Sequence, residues 1–572
     1  MPMVENKKGV CTVMTRWFNE SKLGAVVAAG ILGAGMVAGG LAGVGATAAS
    51  AATSATLTME SSPASSITQS FNPFDATSTS AVLGVTSLIY EPLIQFDPAK
   101  ASVVYPWLAT RWTWSNRGRS ITFTIRKGVR FSDGSLLTPA DVAFTYDLIK
   151  GNPSANTFGV NPTSVTSSGD TVTLSFTTPQ YTALQTIASV YIVPKAIWSS
   201  ISDPATYTDP NPVGTGPYEL GSFSSQGITL KKNPDYWQPG LPKISTVIFP
   251  AYTSNTAAEN ALVTNQADWE GNFISGLGKI FTSKSPHHKT WFAPVNTNSL
   301  FPNLDAFPTN QLAVRQAISL AINRTEVGAV GESGLEPPAR NASGLTLPTY
   351  SAYLSPAIAK LSLNDTPSIA AAKAVLEKAG WKMGSSGYFA KGGKELSLTI
   401  KDPSSYSDYA LDDTLMAQQL RKAGIDATFD GETVPGWTND LNTGNFQLTQ
   451  HWSLTAVNPF EPYNNWLNSA LTAPIGKPAQ GDWERLRSAA IDRDLARLAA
   501  APTVAAGKAA LAPIAKFVAS DLPIIPTVYG AAFMEYNDTS IVGWPSPQNP
   551  YESGSPNAPT NEVVVLHLRP RS

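Results

Sequence analysis

The only cysteine in the chain, Cys11, lies before an uncharged run from Leu23 to Ala46. Ahead of the run, Lys7, Lys8, Arg16 and Lys22 outnumber Glu5 and Glu20; behind it stand the small-residue triplets Ala46-Thr47-Ala48 and Ala49-Ser50-Ala51. A basic stretch, an apolar stretch and an Ala-x-Ala site read together as an export signal over residues 1–52, cleaved near Ala48 to Ala52. The run spans 24 residues, enough to cross a bilayer at 1.5 Å per residue, so a retained amino-terminal anchor is the other outcome the sequence allows. A bacterial lipid-anchor cysteine would follow the run, and none does. Everything beyond residue 52 therefore lacks a thiol. An exported fold without disulfides must rest on the size of its core.

With 572 residues the chain can build such a core, divided over two or three units. Its 40 basic and 42 acidic side chains nearly cancel, giving a net charge of -2, or -4 once the signal is removed. No broad field favours nucleic acid or anionic lipid.

The punctuation predicts mixed α and β structure. Ile121 to Ile125 alternates apolar and polar residues, as do Val172, Leu174 and Phe176, the period of half-buried strands. Thr138-Pro139-Ala140-Asp141 predicts a helix start, continuing to about Lys150. Leu312 to Ile322 carries a helical apolar stripe ending near Arg324. A second helix is expected from Thr366 and Pro367 to Gly380. A strand at Leu396–Ile400, a helix from about Tyr409 to Lys422 and a strand at Ile425–Phe429 then form a βαβ unit, which stacks helices on a mainly parallel sheet.

Catalytic patterns are scarce. His287, His288, His451 and His567 show no His-Glu-x-x-His spacing and have no cysteine partner, which disfavours a zinc enzyme. No Gly-x-Ser-x-Gly elbow occurs, and Gly276 to Ile280 lacks the residues of a phosphate loop. Asp412 and Asp413, adjacent on a predicted helix and about 100° apart, read as a solvated face. No catalytic residue, metal or cofactor is assigned, and the chain is read as a non-enzyme, with a secreted hydrolase using scattered carboxylates as the alternative of another class. Aromatic residues beside turns stand out instead: Trp237, Trp437, Trp452 and Trp466, with thirteen tryptophans beyond the signal. Rings at loop ends suit a ligand-stacking cleft, and equally suit core filling.

Five ordered blocks carry a resemblance. Trp112-Thr113-Trp114 through Ile121 to Gly134 and Thr138 to Val142 form the first, and Val213-Gly214-Thr215-Gly216-Pro217-Tyr218 the second. Asn233-Pro234-Asp235-Tyr236-Trp237, Val314-Arg315-Gln316-Ala317 with Ala321 to Arg324, and Ala379-Gly380-Trp381 complete the set. Tyr90 to Leu93 and Leu522 to Pro526 extend it to both ends. Together they resemble the family 5 extracellular solute-binding proteins of ABC importers for oligopeptides, dipeptides and nickel.

The resemblance implies a periplasmic-binding-protein-like fold, type II and cluster C-like, of two α/β lobes with a hinge plus an inserted third domain. On that map lobe I takes 53–98, 213–305 and 520–572, the inserted domain 99–212, and lobe II 306–519. It also implies a monomer that binds its solute between the lobes, in a periplasm or on the outer face of a cell membrane, and passes it unaltered to permease subunits. Peptide binders of the family show a Trp-x-Ala-Asp-Tyr segment whose aspartate pairs with the peptide ammonium. The matching stretch runs from Trp452 to Pro459, and Thr455 stands at the aspartate's place. An ammonium buried without a counter-ion is costly. Residues 76 to 80 match a backbone-lined segment that holds an extended ligand as an added strand. The expected cleft residues are Ser78, Thr79, Trp437, His451, Trp452, Ser453, Thr455 and Asn458. Peptides are the leading ligand class, with neutral oligosaccharides or other uncharged solutes the alternative.

Overall fold

Strand alternation decides which faces are buried. The structure is a computed structural model describing residues 55–60, 66–75, 78–101, 103–364 and 366–571, with the backbone alone at Thr79 and Asn255. The export signal expected over residues 1–52 lies outside the described residues.

Three sheets dominate. A seven-stranded sheet has the order His288–Thr290, Glu535–Asn537, Trp269–Glu270, Thr56–Glu60, Thr246–Pro250, Gly227–Lys232 and Tyr218–Ser224. Thr56–Glu60 runs parallel to both its neighbours and the other pairs are antiparallel. A five-stranded sheet follows the order Asp426–Glu432, Ser397–Pro403, Leu448–Trp452, Asn298–Pro302 and Ile525–Val528. Its first three strands are parallel and its last two antiparallel to their neighbours. A four-stranded antiparallel sheet holds Ala109–Ser115, Ser120–Ile125, Thr171–Ser175 and Ser164–Ser168.

Local chemistry explains these elements. Ile121, Phe123 and Ile125 are buried while Thr122 and Thr124 between them are half-buried. Helix Pro139–Gly151 opens on a capping box, in which Thr138 N and Oγ1 donate to Asp141 Oδ2 at 2.9 and 2.6 Å. The βαβ unit is Ser397–Pro403, helix Ser407–Lys422 and Asp426–Glu432, its strands parallel. The helix expected from Thr366 begins later, as Ile369–Lys378, because Ser368 keeps a non-helical backbone and leaves Pro367 in the lead-in. Among the described residues no helix is long and apolar enough to cross a membrane.

One continuous core joins the seven- and four-stranded sheets, from Leu57 and Val247 through Tyr90 to Phe123 and Tyr146. The four-stranded sheet therefore shares its core with the seven-stranded one. The five-stranded sheet is packed on both faces. Leu300 enters one core with Ile400 and Met416; its neighbour Phe301 enters another with Tyr463 and Trp466.

The sheets correct the expected lobe boundaries. Asn298–Pro302 and Ile525–Val528, assigned by the sequence map to lobe I, are strands of the five-stranded sheet. The chain crosses between the two bodies on a short antiparallel ribbon in which Ala293 and Pro294 pair with Ala532 and Ala531.

Arg324 fastens the second body. Fully buried, it donates from Nε to Pro526 O at 2.6 Å, from Nη1 to Ser319 O at 3.0 Å and from Nη2 to Ser319 Oγ at 3.1 Å. Arg324→Leu strips partners from two carbonyls and is expected to cost about 2–4 kcal/mol, read as a lower urea midpoint at unchanged slope.

Candidate functional site

The two large sheets turn their carboxyl ends toward the same crossing. Thr56–Glu60 and Trp269–Glu270 are parallel and end at Glu60 and Glu270, in register with Glu535, three residues beyond Ala532 of the ribbon. In the other sheet Ser397–Pro403 and Leu448–Trp452 are parallel, and Trp452 pairs with Asn298, which pairs in turn with Val528. Both ribbon strands leave from this edge. The crevice outside the carboxyl ends of such sheets is where α/β folds place ligands.

Trp452 and the loops after the parallel strands form a shelf of rings on that edge. Trp437 stands on helix Val434–Thr443, started by Thr433 Oγ1 accepting from Gly436 N and ended by Gly444 at φ 77°. Its indole lies 6.2 Å from that of Trp452 and 6.2 Å from the Tyr406 ring, and Tyr409 is 6.3 Å from Trp452. Trp437 and Tyr409 are buried, whereas Trp452 is 37% exposed. Thr455 is exposed beyond it.

The other expected contacts face inward. His451 is enclosed by rings, with Trp452 at 4.2 Å, Trp483 at 4.6 Å and Phe301 and Trp437 each at 5.6 Å. Burial pushes its imidazole down to about 4, so the ring is neutral. Ser453 is buried, its Oγ accepting from Thr297 N at 3.0 Å. Asn458 donates from Nδ2 to Thr182 O and accepts at Oδ1 from Phe460 N, each at 2.9 Å. Ser78 Oγ accepts from Ala81 N and meets Ser80 Oγ, both at 3.2 Å. The Thr79 side chain and residues 76 and 77 lie outside the described residues. The structure thus brings Trp437, His451 and Trp452 together and turns the polar groups of Ser78, Ser453 and Asn458 to protein partners.

A carboxyl network beneath the shelf overturns the solvated-face reading of Asp412 and Asp413, which are both fully buried. Trp437 Nε1 donates to Thr449 Oγ1 at 2.8 Å, and Thr449 Oγ1 donates to Asp402 Oδ1 at 3.3 Å. Asp402 Oδ2 accepts from Gln450 N at 2.7 Å, and Gln450 Nε2 donates to Asp412 Oδ2 at 3.4 Å. Asp413 lies against Asp402, Glu332 against Asp412, and Asp408 and Glu336 complete the set. Gly331 makes the approach possible, since a Cβ there would meet Asp412 Oδ1 at 1.6 Å. Lys401, the adjacent cation, points to the opposite sheet face and is held by Glu432 at 3.0 Å and Asp440 at 2.5 Å. Burial raises the carboxyls, to about 7 at Glu332 and about 8 at Asp413. Helical spacing alone places Asp412 and Asp413 on helix Ser407–Lys422; that the helix is covered at that point is a tertiary fact.

A second acidic row crosses the first body, where Glu60, Glu270 and Glu535 are buried on adjacent strands. Asn272 Nδ2 donates to Glu60 Oε2 at 2.6 Å. Burial first, and then neighbouring carboxylates, raise Glu270 to about 9. Glu336 ties the crossing itself, accepting from Ala531 N and Asn298 Nδ2, both at 2.8 Å. Among the described residues no group of three or more His, Cys, Asp or Glu is arranged to hold a metal ion.

Away from the ribbon the bodies also meet through side chains. Val457 N donates to Gln185 Oε1 at 2.9 Å beside the Asn458–Thr182 bond. These two hydrogen bonds form a latch between the bodies.

Residues 103–473 match the family model described as bacterial extracellular solute-binding proteins, family 5 Middle. The nickel-binding periplasmic protein of Escherichia coli (strain K12) is 25% identical over 436 residues, covering 72% of this chain and 78% of that protein. Protein XP55 of Streptomyces lividans is 30% identical over 332 residues, 55% of this chain and 57% of XP55, so the chain spans little more than half of that relative. Among solved structures, a periplasmic oligopeptide-binding protein of an oligopeptide ABC transporter from Thermotoga maritima superposes with a TM-score of 0.82 at 24% identity, covering 91% of this chain and 100% of the other. Its mannohexaose-bound form gives 0.75 at 24% identity, with 91% and 99% covered.

Proposed function

The chain belongs to the bacterial extracellular solute-binding proteins, family 5, and from that premise we propose that it captures a neutral oligosaccharide against the Trp452 shelf and delivers it unaltered to an importer. Proteins of this family bind small solutes and work with ABC permeases. The observation that carries the ligand class is the exposure of Trp452, at 37%, beside the buried Trp437 and Tyr409 and the half-buried Tyr406. An apolar ring face with a wet edge stacks on a sugar ring while the sugar hydroxyls keep their hydrogen bonds. Thr455 beside it offers a hydroxyl and no charge, which suits an uncharged guest and leaves a peptide ammonium without a counter-ion. The relative with a TM-score of 0.75 carries mannohexaose in its structure, although it is described as an oligopeptide-binding protein.

A peptide is the second reading, favoured by the Thermotoga maritima oligopeptide-binding fold and by the blocks of sequence shared with peptide binders. Its amino terminus would have to be blocked or held elsewhere. Thermal shift assays with mannohexaose, cellohexaose and a pentapeptide, each with a free and an acetylated terminus where one exists, separate the readings. A saturable rise in melting temperature with a hexaose supports the sugar. A rise with the pentapeptides alone overturns it.

A further inference from the structure

Where the two bodies meet, a cavity of about 370 Å3 is lined by Val160, Phe176, Gln180 and Thr186 from the first and by Phe460 and Glu461 from the second. That volume is within the range of small-ligand sites. None of the shelf rings lines it. The latch holds its walls in place, since Gln185 and Thr182 precede Thr186 while Val457 and Asn458 precede Phe460. Nothing described so far uses it.

We propose that this cavity is a second binding site, for a small organic cation such as an alkylammonium or alkylguanidinium. Three features of the lining specify that chemistry. Glu461 is the one ionisable side chain in the lining, and among the described residues its carboxylate receives a single long hydrogen bond, 3.4 Å from Thr186 Oγ1. Gln180 commits its amide nitrogen to Thr178 Oγ1 at 3.0 Å, which leaves its carbonyl oxygen to accept. Phe176 and Phe460 supply aromatic lining, and an aromatic face attracts a cation and repels an anion. Acceptors and π faces around one carboxylate match a guest that brings N–H donors and positive charge. Burial holds the Glu461 carboxyl above its ordinary value, and a cation seated beside it would favour the charged form. Because both bodies contribute walls, the guest favours the arrangement in which they touch. It acts as a clasp on the closed form, separate from the solute on the shelf.

Titration of the full chain with agmatine and with butylammonium, at fixed ionic strength and with 1-butanol as the uncharged control, tests the site by calorimetry and thermal shift. The expected result is one saturable site for each cation and none for 1-butanol. Glu461→Gln is expected to weaken agmatine about tenfold or more, and Gln180→Ala to weaken it less, with circular dichroism confirming that both variants are folded. Trp452→Ala is expected to bind agmatine like the natural chain. Equal affinity in Glu461→Gln, loss of the site in Trp452→Ala, or no saturable cation response in the natural chain would overturn the proposal. None of these results depends on which solute the shelf binds.

Discussion

Raising the pH from about 5 to about 9 is expected to lower the melting temperature continuously, with no alkaline plateau below the range in which the buried carboxyls ionise. Asp402, Asp412, Asp413, Glu332 and Glu336 share one interior, without a basic partner among the described residues, and burial is the leading cause of the upward shift at each. Glu60, Glu270 and Glu535 repeat the arrangement in the first body. Each of these acids binds its proton more tightly folded than unfolded. The stability it contributes is therefore complete below its unfolded value near 4 and is lost as pH rises through its folded value, about 7 for Glu332 and about 8 for Asp413. Within that window one such group removes about 1.4 kcal/mol per pH unit. Calorimetric melting across the range reads the slope directly. Asp413→Asn keeps the shape and removes the ionisation, so its melting curve is expected to be flatter between about 5 and 8 and to lie above that of the natural chain at the alkaline end. A natural chain that grows more stable toward pH 9 contradicts the account of this interior.

Trp452→Ala is expected to abolish tight solute binding, with a loss of about 30- to 100-fold, corresponding to the roughly 2–3 kcal/mol that a central aromatic contact supplies. The unliganded protein is expected to lose less stability than with a buried ring removed, because the ring is 37% exposed, although it stacks on His451 at 4.2 Å. Trp437→Ala makes the contrast. That ring is buried, stacks on His451 at 5.6 Å and anchors the chain from Thr449 to Asp402, so its removal is expected to cost about 3–5 kcal/mol of stability as well as affinity. Thr455→Asp places a carboxylate at that exposed position and is expected to admit a peptide with a free amino terminus. Calorimetry on the three variants separates lost contact, lost scaffold and changed specificity.

The elements that local pattern decides were legible in the sequence. The capping box at Thr138 and Asp141, the alternation at Ile121 to Ile125 and the βαβ unit from Ser397 to Glu432 each follow from residues close together in the chain. The boundaries were less so. Asn298–Pro302 and Ile525–Val528 look like any buried strand, and only their pairing with Leu448–Trp452 and with each other assigns them to the second body. Trp452 could be named from its place in a motif, but its exposure beside a buried Trp437 is a property of the packed loops. Asp412 and Asp413 are the sharpest divergence. Adjacent carboxylates on a helix belong in water by every local rule, and a glycine 81 residues before Asp412, Gly331, helps to bury them. The latch through Gln185 and Asn458 likewise joins residues more than 270 positions apart.

Native mass spectrometry of the full chain mixed with mannohexaose, followed by denaturation and weighing of the released solute, tests the central claim most directly. The account predicts a one-to-one complex that releases the sugar at its original mass, and no such complex with Trp452→Ala. A released sugar of altered mass, or a complex that survives loss of Trp452 unchanged, would contradict it.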